Sequence, residues 1–465
     1  MQHFIHLMIK FMKQHFLYIS GLFLGLIYLT QMLLFYPGIP NGDNIGQLAQ
    51  AFGAESYNNH HPVLHTWILQ GCVQIGRFMS DDNWGLFIYV ILQNLFLFCV
   101  VMYALYYLIC NGLRMRYACI LVMYYGLHPI LQNYASGIIK DTWYAGFLLL
   151  LLIQIHKVLL CGSETTGRQV AGLFCCMLFM MLFRNDGIYM DIAVCIAMFF
   201  CGRGRCRSFI LRGLVGLLSC FLLWHHVIMP VTGVTEGSSR EMLSLPFQQT
   251  ARYVWNYSSE VTAEERDSIN QVLEYDELAE RYDPVNADPV KITYKEQASR
   301  REICSYFMTW ANMFVKHPGV YFQATWENKD EFFIPKGIMA FSPVKDAEEI
   351  MRRIEREIPG VRISFHFPLG LSTAREHVEN IRAAVGKYTP LLCLRIPCLY
   401  VWCVLWMAVE ALCHRERIAA ALCVPFVMNL LINIAGPMNG SYTRYMYLYI
   451  LALPVGMSLR TIHGN

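Results

Sequence analysis

The sequence is short of charge. Of its 465 residues, 15% are Asp, Glu, Lys or Arg against 55% hydrophobic, and the mean hydropathy is +0.36. A soluble domain carries about 25% charged residues, so this composition predicts a polytopic membrane protein. The net charge of +3 is too small to point to a nucleic-acid partner. Also missing is a cysteine framework. There are 17 cysteines, but most (Cys99, Cys110, Cys175, Cys176, Cys220, Cys393, Cys403) fall inside apolar runs, where cysteine behaves as a small hydrophobe. No CxxC pair lies near spaced histidines, which argues against a zinc site or a disulfide scaffold. Repeats and low-complexity tracts are absent. So is a small-residue cleavage site: Lys10 and Lys13 precede an apolar run that ends in Tyr36-Pro37-Gly38, so it reads as an uncleaved first span.

What is present is a series of apolar runs. A span needs about 20 apolar residues, and that length picks out 16–36, 85–109, 116–134, 142–161, 169–184, 186–201, 209–229, 390–412, 417–435 and 443–459. Residues 64–78 are shorter and broken by Gln70, Gly71, Gln74 and Gly76, and read as a helix lying at the interface. Lysine and arginine of the short loops (Lys10, Lys13; Arg114, Arg116; Lys157, Arg168; Arg203, Arg205, Arg207, Arg212; Arg415, Arg417) fall in alternate loops, which places those loops and both termini in the cytoplasm. The expected architecture is all-α: about ten transmembrane helices in two modules, 1–229 and 390–465. Interfacial helices occupy a first outer loop at 37–84, and a mostly helical outer domain at 230–389 carries most of the acidic residues. Two Asn-x-Ser sequons, at Asn256 and Asn439, are too common by chance to carry weight.

Ionisable residues at membrane depth are costly and usually mark function. With the topology set, they collect at one face: Asp43 after the first span, Lys140-Asp141 between the third and fourth, and Arg184-Asn185-Asp186 between the fifth and sixth. Arg252 follows the seventh span, within Gln248-Gln249-Thr250-Ala251-Arg252, and Arg444 opens the last beside Tyr442. Cations can grip phosphate and a carboxylate can handle a proton, which suits a reaction on an anionic lipid-linked substrate. Each residue also has a structural reading. Asp43 and Asp141 are good helix caps, Arg184 can snorkel from a span end, and Arg444 can anchor an aromatic belt. His60, His61 and His65 read either as metal ligands or as groove-lining donors; the i, i+4 spacing of His61 and His65 suits zinc, but Pro62 and the lack of a third ligand favour groove lining. His225 and His226, at a span end, are expected to pack.

These residues resemble the GT-C superfamily of integral-membrane glycosyltransferases, which use polyprenyl-phosphate-linked sugars and include protein O-mannosyltransferases and lipid A aminoarabinose transferases. The likeness rests on Asp43 in YPGIPNGD, the His-Pro motif in HHPVLH, Lys140-Asp141, the large outer segment after the seventh span, and the terminal TRYMY. It is similar above all to bacterial members with YPG…D, KD, RN-G and QQ-AR stretches. The pattern departs in two places: Asp43 is followed by Asn44 where the family often has a second acid, and the motif reads His61-Pro62-Val63. The resemblance implies transfer of a sugar with inversion to a glycan, lipid or protein acceptor outside the bacterial cytoplasmic membrane. In it Asp43 would be the general base or would orient the nucleophile, with Asp141 as the second catalytic acid. Lys140, Arg184, Arg444 and Arg252 would hold the donor phosphate, and His60, His61, His65, Asn185, Gln248, Gln249 and Tyr442 would line the groove. Some members use a divalent cation and others none; no metal ligand is assigned here. Two alternatives compete. A polysaccharide polymerase or ligase would rest on the arginines and leave Asp43 dispensable, while a transporter or flippase is disfavoured by the lack of paired halves.

Overall fold

The computed structural model describes residues 2–339, 344–361, 367–385, 391–436, 438 and 442–463; Asn439 lies outside them. Its N-terminal half contains α1 (Gln2–Leu34), α2 (Asp43–Ala51), α3 (Val63–Met79), α4 (Asp82–Cys110), α5 (Met115–Leu127), α6 (Pro129–Ser136), α7 (Lys140–Cys161), α8 (Gly167–Phe183), α9 (Gly187–Cys201), α10 (Arg205–Leu223) and α11 (Met229–Val231). The outer segment holds α12 (Ser244–Tyr257), α13 (Ala263–Asn270), α14 (Leu278–Arg281), α15 (Asp288–Lys291), α16 (Arg300–Lys316), α17 (Pro318–Lys329), α18 (Val344–Glu357) and α19 (Ser372–Val385). Finally come α20 (Pro397–Cys413), α21 (Arg417–Ala435) and α22 (Tyr442–His463). Among the described residues the only β pairings are isolated bridges.

The protein is a helical, multi-pass membrane protein. Six helices among the described residues are long and apolar enough to cross a bilayer: His15–Leu34, Asp82–Cys110, Lys140–Glu164, Arg205–Val231, Arg417–Ala435 and Tyr442–Ile462. Four shorter apolar helices, α5, α8, α9 and α20, fall on the remaining expected runs. In the third run the helix breaks, because the residue before a proline is pushed out of the helical region: His128 adopts φ −66° and ψ 117°, and α6 restarts at Pro129. The carbonyls freed by the break find side-chain donors. Gln132 Nε2 donates to Tyr125 O at 3.1 Å and Gly126 O at 2.9 Å. At the other end of α6, Gln93 Nε2 of α4 reaches Gly137 O at 2.7 Å and Asn94 Nδ2 reaches Ala135 O at 2.6 Å. Close packing and such interhelical bonds hold helices together in lipid, where no hydrophobic transfer term favours association. Tyr124 and Tyr125 hydroxyls add two more, to Ile450 O and Leu451 O at 2.8 Å each.

Two short backbone clips bring the loops at one end of the bundle together. After α1 the chain turns at Gly38, at φ +138°, where a Cβ would lie 2.8 Å from Val90. Ile39 N then donates to Ser136 O at 2.8 Å and Ile138 N to Ile39 O at 3.0 Å, which sets the start of α2 beside the start of α7. In the second clip Asn59 N donates to Thr235 O at 2.8 Å and Thr235 N to Tyr57 O at 3.0 Å, tying the histidine segment to the outer segment.

The outer segment is mostly helical and packs as two parts. Residues 247–321 bury their own core of Phe247, Tyr253, Ile269, Leu278, Tyr306 and Tyr321. Helix α18 and the residue after it instead bury Ala347, Met351, Ile354 and Ile358 in one cluster with Leu34 and Phe35 at the end of α1 and Leu48 of α2. From α19, Arg375 Nη1 donates to Leu34 O at 3.2 Å, capping the open carbonyl end of α1, and Arg382 Nη2 donates to Gln31 Oε1 at 2.6 Å.

Candidate functional site

At the end where the clips meet lies a cleft of about 890 Å³. Asp43, at the first turn of α2, enters it between two cations. Lys140 Nζ lies 3.2 Å from Asp43 Oδ2, and Arg444 Nη2 lies 2.7 Å from the same oxygen. Arg444 Nη1 also donates to Oδ1 at 3.2 Å. Behind them Asp141, on α7 next to Lys140, is 3.2 Å from Arg444 Nε and 3.8 Å from Arg184 Nη1. Neither contact has hydrogen-bond geometry, so Asp141 is held by charge rather than by directional bonds. The fork of Arg184 closes on Asp186, with Nε and Nη2 each 2.9 Å from a carboxylate oxygen. Three carboxylates and three cations, drawn from four separate loops and helix ends, thus form one network.

The turn that carries Arg184 is three residues long, between α8 and α9, and is closed by Gly187, where a Cβ would fall 2.6 Å from Met180 O. Asn185 in this turn exchanges two hydrogen bonds with Asn59, Nδ2 to Asn59 O at 2.8 Å and Asn59 Nδ2 to Asn185 Oδ1 at 3.1 Å. Asn59 Oδ1 in turn accepts from Val63 N at 3.1 Å at the start of α3. The cleft wall formed by His60 and His61 is therefore fixed to the Arg184 turn.

The electrostatics follow from this packing. Burial pushes the Asp43 carboxyl up, but the charges of Arg444 and Lys140 outweigh it and hold the group well below the usual carboxylate range. His61 Nδ1 lies 3.0 Å from Lys140 Nζ and 3.7 Å from Asp43 Oδ2. Burial, and then the Lys140 charge, push this ring down to about 2, so it is neutral and accepts from the lysine. His60, packed edge-on to it at 4.6 Å, is lowered mainly by burial. Burial opposes the Arg184 charge, yet Asp186 and Asp141 together raise that group above its ordinary value.

Of the residues singled out in the sequence, Asp43, His60, His61, Lys140, Arg184, Asn185 and Arg444 line the cleft. The others do not. Asp141 is buried behind Arg184 and Arg444, so it braces the cations instead of meeting a ligand. His65 is fully buried: Gln47 Nε2 lies 2.8 Å from its Nδ1, and its Nε2 lies 2.6 Å from the Tyr89 hydroxyl. Trp143 Nε1 donates to that hydroxyl at 3.0 Å, and it donates onward to Gln93 Oε1 at 3.0 Å. Burial pushes His65 down to about 3, which fits a neutral core histidine. Arg252 pairs with Glu327 and donates to Tyr282 OH at 2.9 Å, inside the outer segment. Gln248 donates to Asp283 O at 2.8 Å and Gln249 to Thr325 Oγ1 at 2.9 Å. The Tyr442 hydroxyl is spent on Asn328 O at 2.9 Å. These side chains serve packing.

Several cleft residues had no site role assigned from the sequence. Asp186, Asn59, Arg240, Glu241, Asp288 and Lys291 all line it, and His225, expected to pack, lines it with its ring 4.5 Å from Phe221. Lys291 Nζ sits 2.7 Å from both Glu241 Oε2 and Asp288 Oδ1, forming a second ion-paired group in the cleft wall. The signal for Asp186 was its place beside Arg184; the outer-segment residues are lost in a stretch crowded with charge. Among the described residues no group of three or more His, Cys, Asp or Glu is placed to hold a metal ion. Both Asp43 oxygens already accept from cations, a donor set that does not suit a resident divalent ion.

The fold and the cleft define a helical multi-pass membrane protein with a charged, ligand-sized cleft at one end of its bundle. The chain belongs to a family of unknown function (DUF6020), whose model matches residues 54–463. That region includes Lys140, Arg184 and Arg444 and begins after Asp43. No curated protein and no solved structure matches the chain.

Proposed function

We propose that this protein is a membrane glycosyltransferase of the GT-C type, moving a sugar from a polyprenyl-phosphate donor to an acceptor outside the bacterial cytoplasmic membrane. In this reading all ten apolar helices span the bilayer, α2 and α3 lie at the interface, and the cleft opens on the extracytoplasmic side. The observation that carries it is the Asp43 carboxylate held between Lys140 and Arg444 in the cleft wall.

The chemistry follows from that arrangement. The acceptor hydroxyl oxygen attacks the anomeric carbon as the bond from that carbon to the phosphate oxygen breaks, and the bonding pair leaves with polyprenyl phosphate. Asp43 takes or orients the acceptor's proton. Lys140, Arg184 and Arg444 stabilise the phosphate charge as it develops. At rest Asp43 is a weak base because these cations hold it ionised. A bound phosphate competes for the same cations, so donor binding releases the carboxylate and raises its basicity at the moment a base is needed.

One observation favours a second reading. The depressed Asp43 group and the three cleft-lining arginines, Arg184, Arg240 and Arg444, also suit a polysaccharide polymerase or ligase in which arginines carry the reaction. Transfer from defined polyprenyl-phosphate sugars in proteoliposomes separates the two. Loss of transfer in Asp43→Asn, with donor binding retained, supports the first reading. Full transfer by Asp43→Asn together with inactivity of Arg184→Gln and Arg444→Gln moves the assignment to the second.

A further inference from the structure

The outer segment is rich in charge, with one exception. Between Glu302 and Glu327 the only charged residue is Lys316, and the same stretch holds Tyr306, Phe307, Trp310, Phe314, Tyr321, Phe322 and Trp326. It forms the α16–α17 pair. One face of each helix packs inward: Tyr306 and Met313 from α16, Val320, Tyr321 and Ala324 from α17. The outer face is apolar and open. Met308 and Val315, two turns apart on α16, are 69% and 78% exposed, and Phe322 and Trp326, one turn apart on α17, are 68% and 48% exposed. Unpartnered apolar surface of this kind on an otherwise polar segment marks an interaction face.

Its position says what covers it. The rings of Phe314 and Phe322 meet at 6.2 Å, which joins the two helices' outer faces. The Trp326 ring stacks on Phe333 at 5.9 Å, and Trp402 of α20 donates its indole N–H to Phe333 O at 3.0 Å. Trp402 begins the outward stripe of α20 that continues through Trp406 and Val409 at helical spacing, all exposed. The apolar face of α16–α17 thus runs without a break into the lipid-facing side of a helix that packs on α21 and α22. Amphipathic helices with aromatic residues at this level lie in the headgroup region of a bilayer.

We propose that α16 and α17 form a membrane anchor, lying in the leaflet nearer the cleft with Met308, Val315, Phe322 and Trp326 among the upper acyl chains. The inference rests on α20 spanning the bilayer, as in the reading above. It gives the outer segment a fixed depth. The end of α17 is tied to the cleft mouth, where Lys329 Nζ donates to Gly436 O at 2.7 Å, and α12, packed on α17, holds the segment bearing Arg240 and Lys291. The anchor therefore sets the height of the second ion-paired group above the membrane.

Photo-labelling of the full chain in nanodiscs tests this. The discs contain phosphatidylcholine and phosphatidylglycerol with a diazirine near the top of one acyl chain, and adducts are mapped by peptide mass spectrometry. The expected result is adducts within 304–326 at a yield comparable to those at Trp402 and Trp406. Adducts at Trp402 and Trp406 with none in 304–326 overturn the anchor alone. Absence at all these positions overturns the anchor together with the span assignment of α20. In a Phe322→Glu, Trp326→Glu variant that still folds, adducts in 304–326 are expected to fall while those at Trp402 persist; unchanged labelling in both regions marks random collision and sinks the proposal.

Discussion

Two arginine–carboxylate clusters in this molecule are built in different ways. Around Asp43, charges from α2, α7, the α8–α9 turn and α22 converge on a cleft and leave Asp43, Lys140, Arg184 and Arg444 facing it. Around Arg252, Glu327, Gln323 and Tyr282 come from one segment and close on the guanidinium, with no edge towards the cleft. The residue types are alike. The difference is where the partners come from: a network assembled across separate helix ends stays open between them, while one built within a packed segment fills its own space. Pairing of charges near a membrane is thus a poor guide to function until the geometry of the gap is known.

The sharpest break of this comparison is at Asp43. Asp43→Asn keeps the shape and removes the charge, and transfer is expected to fall by about 100- to 10,000-fold, the usual contribution of a positioned acid–base group. The readout is single-turnover transfer with donor bound in excess. Arg444→Gln is expected to cost about 100- to 1,000-fold, in the range seen when a group stabilising developing charge is removed, and to weaken donor binding as well, because Arg444 touches both Asp43 and Asp141. The pH profile checks the electrostatics. Asp43 is depressed below its free value and His61 is pushed down to about 2, so neither changes charge on the way from neutral to mildly acidic solution. The kcat/KM profile of the free enzyme is expected to be flat from about pH 8 to about pH 5. A depressed carboxylate stabilises the fold above its unfolded value, and that contribution is lost only as pH falls through the folded value.

How far the cleft was legible in the sequence depended on whether helix ends or helix faces decided a residue's place. Asp43, Lys140, Arg184 and Arg444 each sit at the mouth of an apolar run, and alternation of basic loops was enough to put those mouths on one side. His65 was misleading because its i, i+4 spacing from His61 holds only on a continuous helix. Pro62 starts α3 at Val63, so His61 stays in the loop while His65 turns into the core. Gln248, Gln249 and Arg252 share the inward face of α12, but the partners that bury them lie 30 to 76 residues away in sequence, beyond the reach of local pattern. The break at His128-Pro129 was written in the sequence and is simple proline chemistry. What could not be read was the donor that made the break tolerable, because Gln132, which satisfies Tyr125 O and Gly126 O, looks like an ordinary polar residue of a span.

The contrast predicts a different outcome at Arg252. Replacing it with Met removes its bonds to Tyr282, Gln323 and Glu327 and leaves the hydroxyl and amide short of a partner. The expected loss is about 1–3 kcal/mol of stability, read as a lower Tm, with turnover per folded molecule unchanged. A fall in turnover equal to that of Arg444→Gln would merge the two clusters and undo the distinction between them.

The last prediction concerns a cation with no ion-pair partner among the described residues. Lys329, almost fully buried at the end of α17, donates to Gly436 O at 2.7 Å, and no ion pair joins it among the described residues. Burial, with repulsion from Lys291 added, pushes it down to about 7. The sign of the linkage is the reverse of that for Asp43. Above about pH 7 the folded lysine is neutral while the unfolded one holds its proton up to about 10.4, so the unfolded state binds more protons and stability rises with pH across that window. Denaturant midpoints measured between neutral and mildly alkaline pH are expected to increase, and Lys329→Met is expected to flatten the rise. If Lys329→Met leaves the slope intact, the lysine is charged in the folded protein. The contrast between cations held by carboxylates at the cleft and a cation left without one would then fail at its clearest point.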